Sequence, residues 1–223
     1  MKKARVFGVL ALVCLCAAVV FLLDIPTYIK VWRGQVAQLS DVDFSELRKG
    51  DVVSGDAGMS FGYCSEEYTT NFGVRTSKDS NKRYYVLMLD TDLFMLYCTS
   101  SKEEYAKLDQ MEDETIAYYD SVETYMQSED YEDLAVPTTK VDIQGSIASI
   151  PWEVQGYYRE WYTEYIGDDF DECCLPLMIT HLDFDRFGVM LITGIVAAIG
   201  AVCFSILALV MRAKNKQAPP EWN

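Results

Sequence analysis

Two uncharged apolar segments, 6–23 with 18 residues and 187–211 with 25, constrain this 223-residue chain more than anything else in it. At about 1.5 Å per helical residue they reach about 27 and 37 Å, against a hydrocarbon core of about 30 Å. A helix is the only open segment that satisfies its own backbone in lipid, so each reads as a transmembrane helix. The first also lies behind Met1-Lys-Lys-Ala-Arg5, a good signal-peptide start. It leaves through Val20-Phe-Leu-Leu-Asp-Ile-Pro26 without a small-x-small cleavage site. Val13 and Leu15 precede Cys14 and Cys16, where a lipoprotein signal needs a small residue. The expectation is an uncleaved anchor, and a soluble globular chain is set aside.

Basic residues near the spans set the orientation. Lys2, Lys3, Arg5, Arg212, Lys214 and Lys216 lie on the outer flanks, and Lys30, Arg33 and Arg186 on the facing ones. The expected division is a cytoplasmic N-terminus 1–5, transmembrane helix 6–23, an extracytoplasmic domain 24–186, transmembrane helix 187–211 and a cytoplasmic tail 212–223. That makes a two-span protein of a cell membrane, in contact with lipid. Gly194, Ala197, Ala198 and Ala201 form a candidate helix-packing face, for span one, another copy or another membrane protein. Neither span carries an ionisable side chain apart from cysteine, which argues against a proton relay or a voltage sensor.

The interval 24–186 holds 13 of the 19 basic residues, 33 of the 34 acidic ones and all 15 tyrosines, a net charge of −20 within a chain total of −15. That sign excludes nucleic-acid binding through a basic face. Strand-like runs cover 51–56, 58–64 and 67–75, and two apolar runs, 83–89 and 93–99, flank Asp90-Thr-Asp92 as a hairpin. Their unbroken apolar character predicts burial on both faces, under a helix. Ser100 with Glu103, and Ser101 with Glu104, fit capping boxes. Leu108, Met111, Thr115, Tyr118, Val122 and Tyr125 then stripe one face of a helix over 102–127. Residues 141–150 alternate as a strand, Pro151 opens a second amphipathic helix, and 175–182 reads as a last strand. The fold class expected is α+β with a mostly antiparallel sheet, flanked by the two transmembrane helices.

Asp43-Phe-Ser-Glu-Leu-Arg-Lys-Gly-Asp51, Val52-Val-Ser-Gly55, Tyr84-Tyr-Val-Leu-Met-Leu-Asp90 and Val141-Asp-Ile-Gln-Gly-Ser-Ile147 resemble uncharacterised bacterial two-span membrane proteins that carry a domain of unknown function. The layout is also similar to membrane-flanked OB-like domains, which implies a small barrel. No catalytic signature comes with either resemblance.

Motifs for chemistry are scarce. His181 is the only histidine, which leaves no multi-histidine zinc site and points to a structural or interfacial role. No nucleotide-binding, metalloprotease, nucleophile-elbow or Cys-x-x-Cys motif occurs. Asp41/Asp43, Asp90/Asp92, Asp168/Asp169/Asp171/Glu172 and Asp183/Asp185 offer oxygen ligands for calcium, but none fits an EF-hand, and a solvated acidic surface is the reading preferred. The 12 acidic residues of 103–133 read as the wet side of the long helix. No catalytic residue, metal or cofactor is assigned.

Cys64, Cys98, Cys173 and Cys174 lie outside the spans, with three possible pairings. In an oxidising compartment Cys64 with Cys98 is the candidate disulfide, since both sit in predicted strands. Tyr157, Tyr158, Trp161 and Tyr165 crowd one helix as a candidate aromatic face for a carbohydrate or peptide, a core or a headgroup layer. The function expected is non-catalytic binding or scaffolding at the cell envelope. Alternatives are an envelope hydrolase using a carboxylate pair and an accessory subunit of a transport or secretion complex.

Overall fold

A computed structural model describes residues 2–23, 25–71, 74, 75, 77, 80–90, 93–128, 134 and 136–217. They form two units, 1–33 with 183–223, and 34–182.

The first unit holds α1 (Lys2–Leu22), α2 (Ile25–Trp32) and α6 (Phe184–Gln217). The apolar segments therefore sit in helices, α1 ending one residue before the first segment does and α6 running beyond the second at both ends, with 34 residues and about 51 Å. Both are long and apolar enough to cross a membrane. Phe7 stacks on Phe204, Cys14 lies under Gly200, Leu22 meets Gly194, and Tyr28 touches Phe187. Partners that descend along α6 as α1 ascends make an antiparallel hairpin. The small-residue face is consumed here: a Cβ on Gly194 would sit 2.6 Å from Leu22 Cδ2, and Ala201 is buried, with Ala197 and Ala198 partly so. The short helix α2 had no counterpart in the sequence reading.

The second unit contains β1 (Ala37–Gln38), β2 (Val52–Asp56), β3 (Met59–Glu67), β4 (Thr70–Asn71), β5 (Val74–Arg75), β6 (Lys82–Asp90) and β7 (Leu93–Thr99). Then come α3 (Lys102–Ser128), β8 (Asp142–Ser149), α4 (Trp152–Tyr165), α5 (Phe170–Cys173) and β9 (Cys174–His181). Seven strands form one sheet in the order β1-β2-β8-β9-β7-β6-β3, and β4 pairs with β5 separately. The β1–β2 and β7–β9 pairs are parallel and the other four antiparallel, a mixed and mostly antiparallel sheet. The sheet is open, ending on β1 and β3, where an OB-like layout would close a barrel. Thr91 and Asp92 of the expected hairpin, the Tyr125 side chain and the end of the acidic run at 129–133 lie outside the described residues.

Helices cover both faces, which explains the unbroken apolar strands. On β6 and β7, Tyr85, Leu87, Met95 and Tyr97 join Tyr105, Leu108 and Met111 of α3. Their neighbours Tyr84, Val86, Phe94 and Leu96 join Val154, Tyr158 and Tyr162 of α4 on the opposite face. With a side-chain period of two, a strand buried on both sides has no polar face to show. Each such fully buried side chain contributes about 1.5–3 kcal/mol.

Candidate functional site

Strand β3 is an edge of the sheet, and both α3 and α4 reach it. Its pairing with β6 shifts register between Ser60 and Tyr63. Gly62, at φ +83°, supplies the left-handed backbone this bulge uses. The bulge sends Phe61 to the α4 side, while Tyr63 meets Tyr85 edge to face from the α3 side. In a regular strand residues 61 and 63 would share a face.

Around this edge lies a cleft of about 1250 Å³. Helix α3 contributes Glu112, Thr115, Ile116, Tyr119 and Asp120. The sheet contributes Phe61, Tyr63, Met88 and Phe94. Helix α4 and the segment after it add Trp161, Tyr162, Tyr165, Ile166, Asp169 and Cys173. Phe61 joins the two sides, its ring centroid 5.5 Å from Phe94, 5.6 Å from Tyr119 and 6.3 Å from Trp161. Among the described lining residues three are acidic and none is basic.

Two of the carboxyls are tuned in opposite directions. Glu112 lies over Gly62, where a Cβ would come within 2.4 Å of its Oε1. Burial pushes its pKa up, Asp109 and Asp113 push the same way, and Arg83 opposes them. Among the described residues nothing donates a hydrogen bond to it. Asp169 is held below the usual carboxylate range, chiefly because the Tyr162 hydroxyl donates to its Oδ1 at 2.8 Å. The Cys173 thiol adds a contact to Oδ2 at 3.4 Å.

A smaller hollow of about 410 Å³ adjoins Arg83. Its guanidinium is committed internally: it donates to Asp109 at 3.0 Å and to the Tyr85 hydroxyl at 3.1 Å, and it lies over the rings of Tyr63 and Tyr105. His181 is likewise engaged, with Nδ1 3.0 Å from Glu104 Oε1 and 2.8 Å from the Tyr97 hydroxyl. Glu104 also accepts from Thr99 Oγ1 at 2.5 Å. Burial opposes its ionisation, but His181, Thr99 and Tyr97 together hold its pKa down. The capping box at Ser101 is therefore half formed: its Oγ accepts the Glu104 amide at 3.4 Å while the Glu104 carboxylate turns to the core.

The aromatic face anticipated on α4 is divided. Trp161 and Tyr165 line the cleft, Tyr158 is fully buried beneath the sheet, and Tyr157 is exposed outside the cleft. The buried stripe is Val154, Tyr158 and Tyr162, spaced by four, and the i+3 members fall off it. The Cys64–Cys98 bridge requires correction. Both thiols are free, and β6 runs between their strands. Two strand spacings are about 9–10 Å, beyond the roughly 7 Å a disulfide spans. Cys64 donates instead to the Tyr84 carbonyl at 3.6 Å, and Cys173 and Cys174 are free as well.

Acidic clusters disperse into local contacts. Asp43 accepts from Ser45, Asp171 pairs with Arg159, and Asp183 with Arg186. Among the described residues no three potential ligands converge on a metal-sized site. Glu112, Phe61 and Tyr119 carry the cleft without having been singled out in sequence, and Asp169 was read only as part of an acidic cluster. The available signal was a glycine inside the strand run 58–64, the mark of a bulge.

Residues 1–214 match the model of a family described as a domain of unknown function, DUF8577. The chain belongs to that family. No curated protein and no solved structure matches it. The DUF8577 description carries no reaction or ligand, so the chemistry of the cleft rests on its geometry.

Proposed function

We propose that this DUF8577 member is a membrane-anchored binding protein of the cell envelope, with α1 and α6 crossing the bilayer and residues 24–186 displayed outside. The antiparallel pairing of α1 with α6 supports a hairpin whose two ends share one side. The basic residues at 2, 3, 5, 212, 214 and 216 support the cytoplasm as that side. The observation that carries the binding reading is the aromatic, acidic cleft at the β3 edge, of a size suited to a ligand. Thiol labelling of intact cells with an impermeant reagent tests the display. A thiol introduced by Tyr165→Cys at the cleft rim labels from outside, while one introduced by Lys2→Cys labels only after permeabilisation. The reverse pattern overturns the proposal.

One observation favours a second reading, an envelope hydrolase acting on a wall polymer or lipid headgroup. The cleft holds one carboxyl pushed toward the neutral acid, Glu112, and one held ionised, Asp169, the division of roles that acid and base chemistry needs. Turnover of such a substrate by the purified chain, lost in both Glu112→Gln and Asp169→Asn, would replace binding with catalysis. The accessory-subunit reading draws no support from Gly194, because Leu22 of the same chain covers it.

A further inference from the structure

We infer that the β3-edge cleft takes a small organic cation, an ammonium group carried on an apolar body. This rests on the binding reading of the same cleft and names its ligand class. Of the fifteen described lining residues three are carboxylic acids and none is Lys, Arg or His, and Arg83 over the Tyr63 ring is committed to Asp109, which leaves a ligand to supply further positive charge. Glu112 is half-buried, with no hydrogen-bond donor among the described residues, and a partly desolvated carboxylate of that kind gains most from an incoming cation. Ring faces add to this, since an ammonium within about 6 Å of an aromatic centroid is held by the ring quadrupole. The chain supplies such cations to other rings itself, Arg75 over Tyr68, Arg83 over Tyr105 and Arg159 over Phe170, and within the cleft Arg83 lies over Tyr63. Phe61, Trp161 and Tyr165 in the cleft have no such cover among the described residues. Ile116, Met88 and Phe94 provide the surface for the apolar body. The volume, about 1250 Å³, exceeds what a bare ammonium fills and leaves room for a drug-sized molecule.

Calorimetry on the purified full chain in a maltoside detergent tests this with four probes. They are benzyltrimethylammonium, its neutral isostere neopentylbenzene, phenylmethanesulfonate, and the tripeptide amide Phe-Lys-Phe. The expected result is binding of the ammonium at least about tenfold tighter than the isostere, and none of the sulfonate. Glu112→Gln removes most of that preference and leaves the isostere unchanged, whereas Trp161→Leu weakens both and Trp161→Phe retains both. Circular dichroism confirms that each variant is folded, and Asp169→Asn serves as the second charge variant if Glu112→Gln is not. Equal affinity for ammonium and isostere, or preference for the sulfonate, overturns the cation and leaves the binding reading intact. A tripeptide bound about tenfold tighter than the ammonium replaces the small molecule with a peptide. No heat from any probe at millimolar concentration overturns both the cation and the cleft as a binding site.

Discussion

The Tyr158 hydroxyl is sealed between α4 and the sheet with the Cys174 thiol beside it but no well-formed hydrogen bond among the described residues, and burial drives its ionisation far up. An unsatisfied buried hydroxyl is a stability debit, so Tyr158→Phe is expected to raise unfolding free energy by about 1 kcal/mol in urea titration of the full chain. The thiols beside it are inert for the same physical reason. Burial pushes Cys64 and Cys174 each up to about 12, and iodoacetamide at about pH 8 is expected to leave both unmodified until the chain unfolds. A reductant should leave the melting temperature unchanged, since no bridge joins Cys64 to Cys98. Gly62 has little freedom to vary. At φ +83° an alanine is strained by about 1–2 kcal/mol, and its methyl would displace the Glu112 carboxylate from the cleft wall.

Helix α3 is held to the sheet by its stripe and to the chain beyond it by one carboxylate. Glu114 accepts the amides of Thr138 and Thr139 at 2.7 and 2.8 Å, and the Thr139 hydroxyl at 2.6 Å. The Thr139 hydroxyl and these amides lower its pKa from 4.5 to about 2. Because the folded value is the depressed one, this tether stabilises fully above pH 4.5 and is lost as pH falls toward 2. Hydrogen exchange at Thr138 and Thr139 should accelerate across that window, and Glu114→Gln should abolish the dependence. Elements of this kind were legible from period alone. The 102–127 stripe became α3, residues 141–150 became β8, and the double apolar runs were buried on both faces as expected. What a period cannot carry is an interruption or a distant neighbour. The Gly62 bulge reverses which side Tyr63 faces, and the two-residue strand β1 exists only because β2 lies parallel beside it. The cleft inherits both difficulties, being assembled from residues as far apart as Phe61 and Cys173.

Across the whole molecule, the net charge of −20 between the apolar helices sets a field as well as a surface. Association of a cationic ligand is expected to slow as salt is raised from about 0.01 to 0.15 M, where screening shortens from about 30 to 8 Å, and stopped-flow fluorescence reads that change. The sheet has its own long-range dependence. Strand β9, last in sequence, lies between β8 and β7, so β1-β2-β8 on one side and β7-β6-β3 on the other meet only through it. A chain ending at residue 173 is therefore expected to be digested rapidly by protease, whereas one carrying β9 resists. His181 closes that strand, and α6 begins at Phe184. During synthesis the two half-sheets must wait, edges unsatisfied, until almost the moment the second apolar helix leaves the ribosome. Completion of the seven-stranded sheet and emergence of the second long apolar helix are thus consecutive events on one stretch of polypeptide.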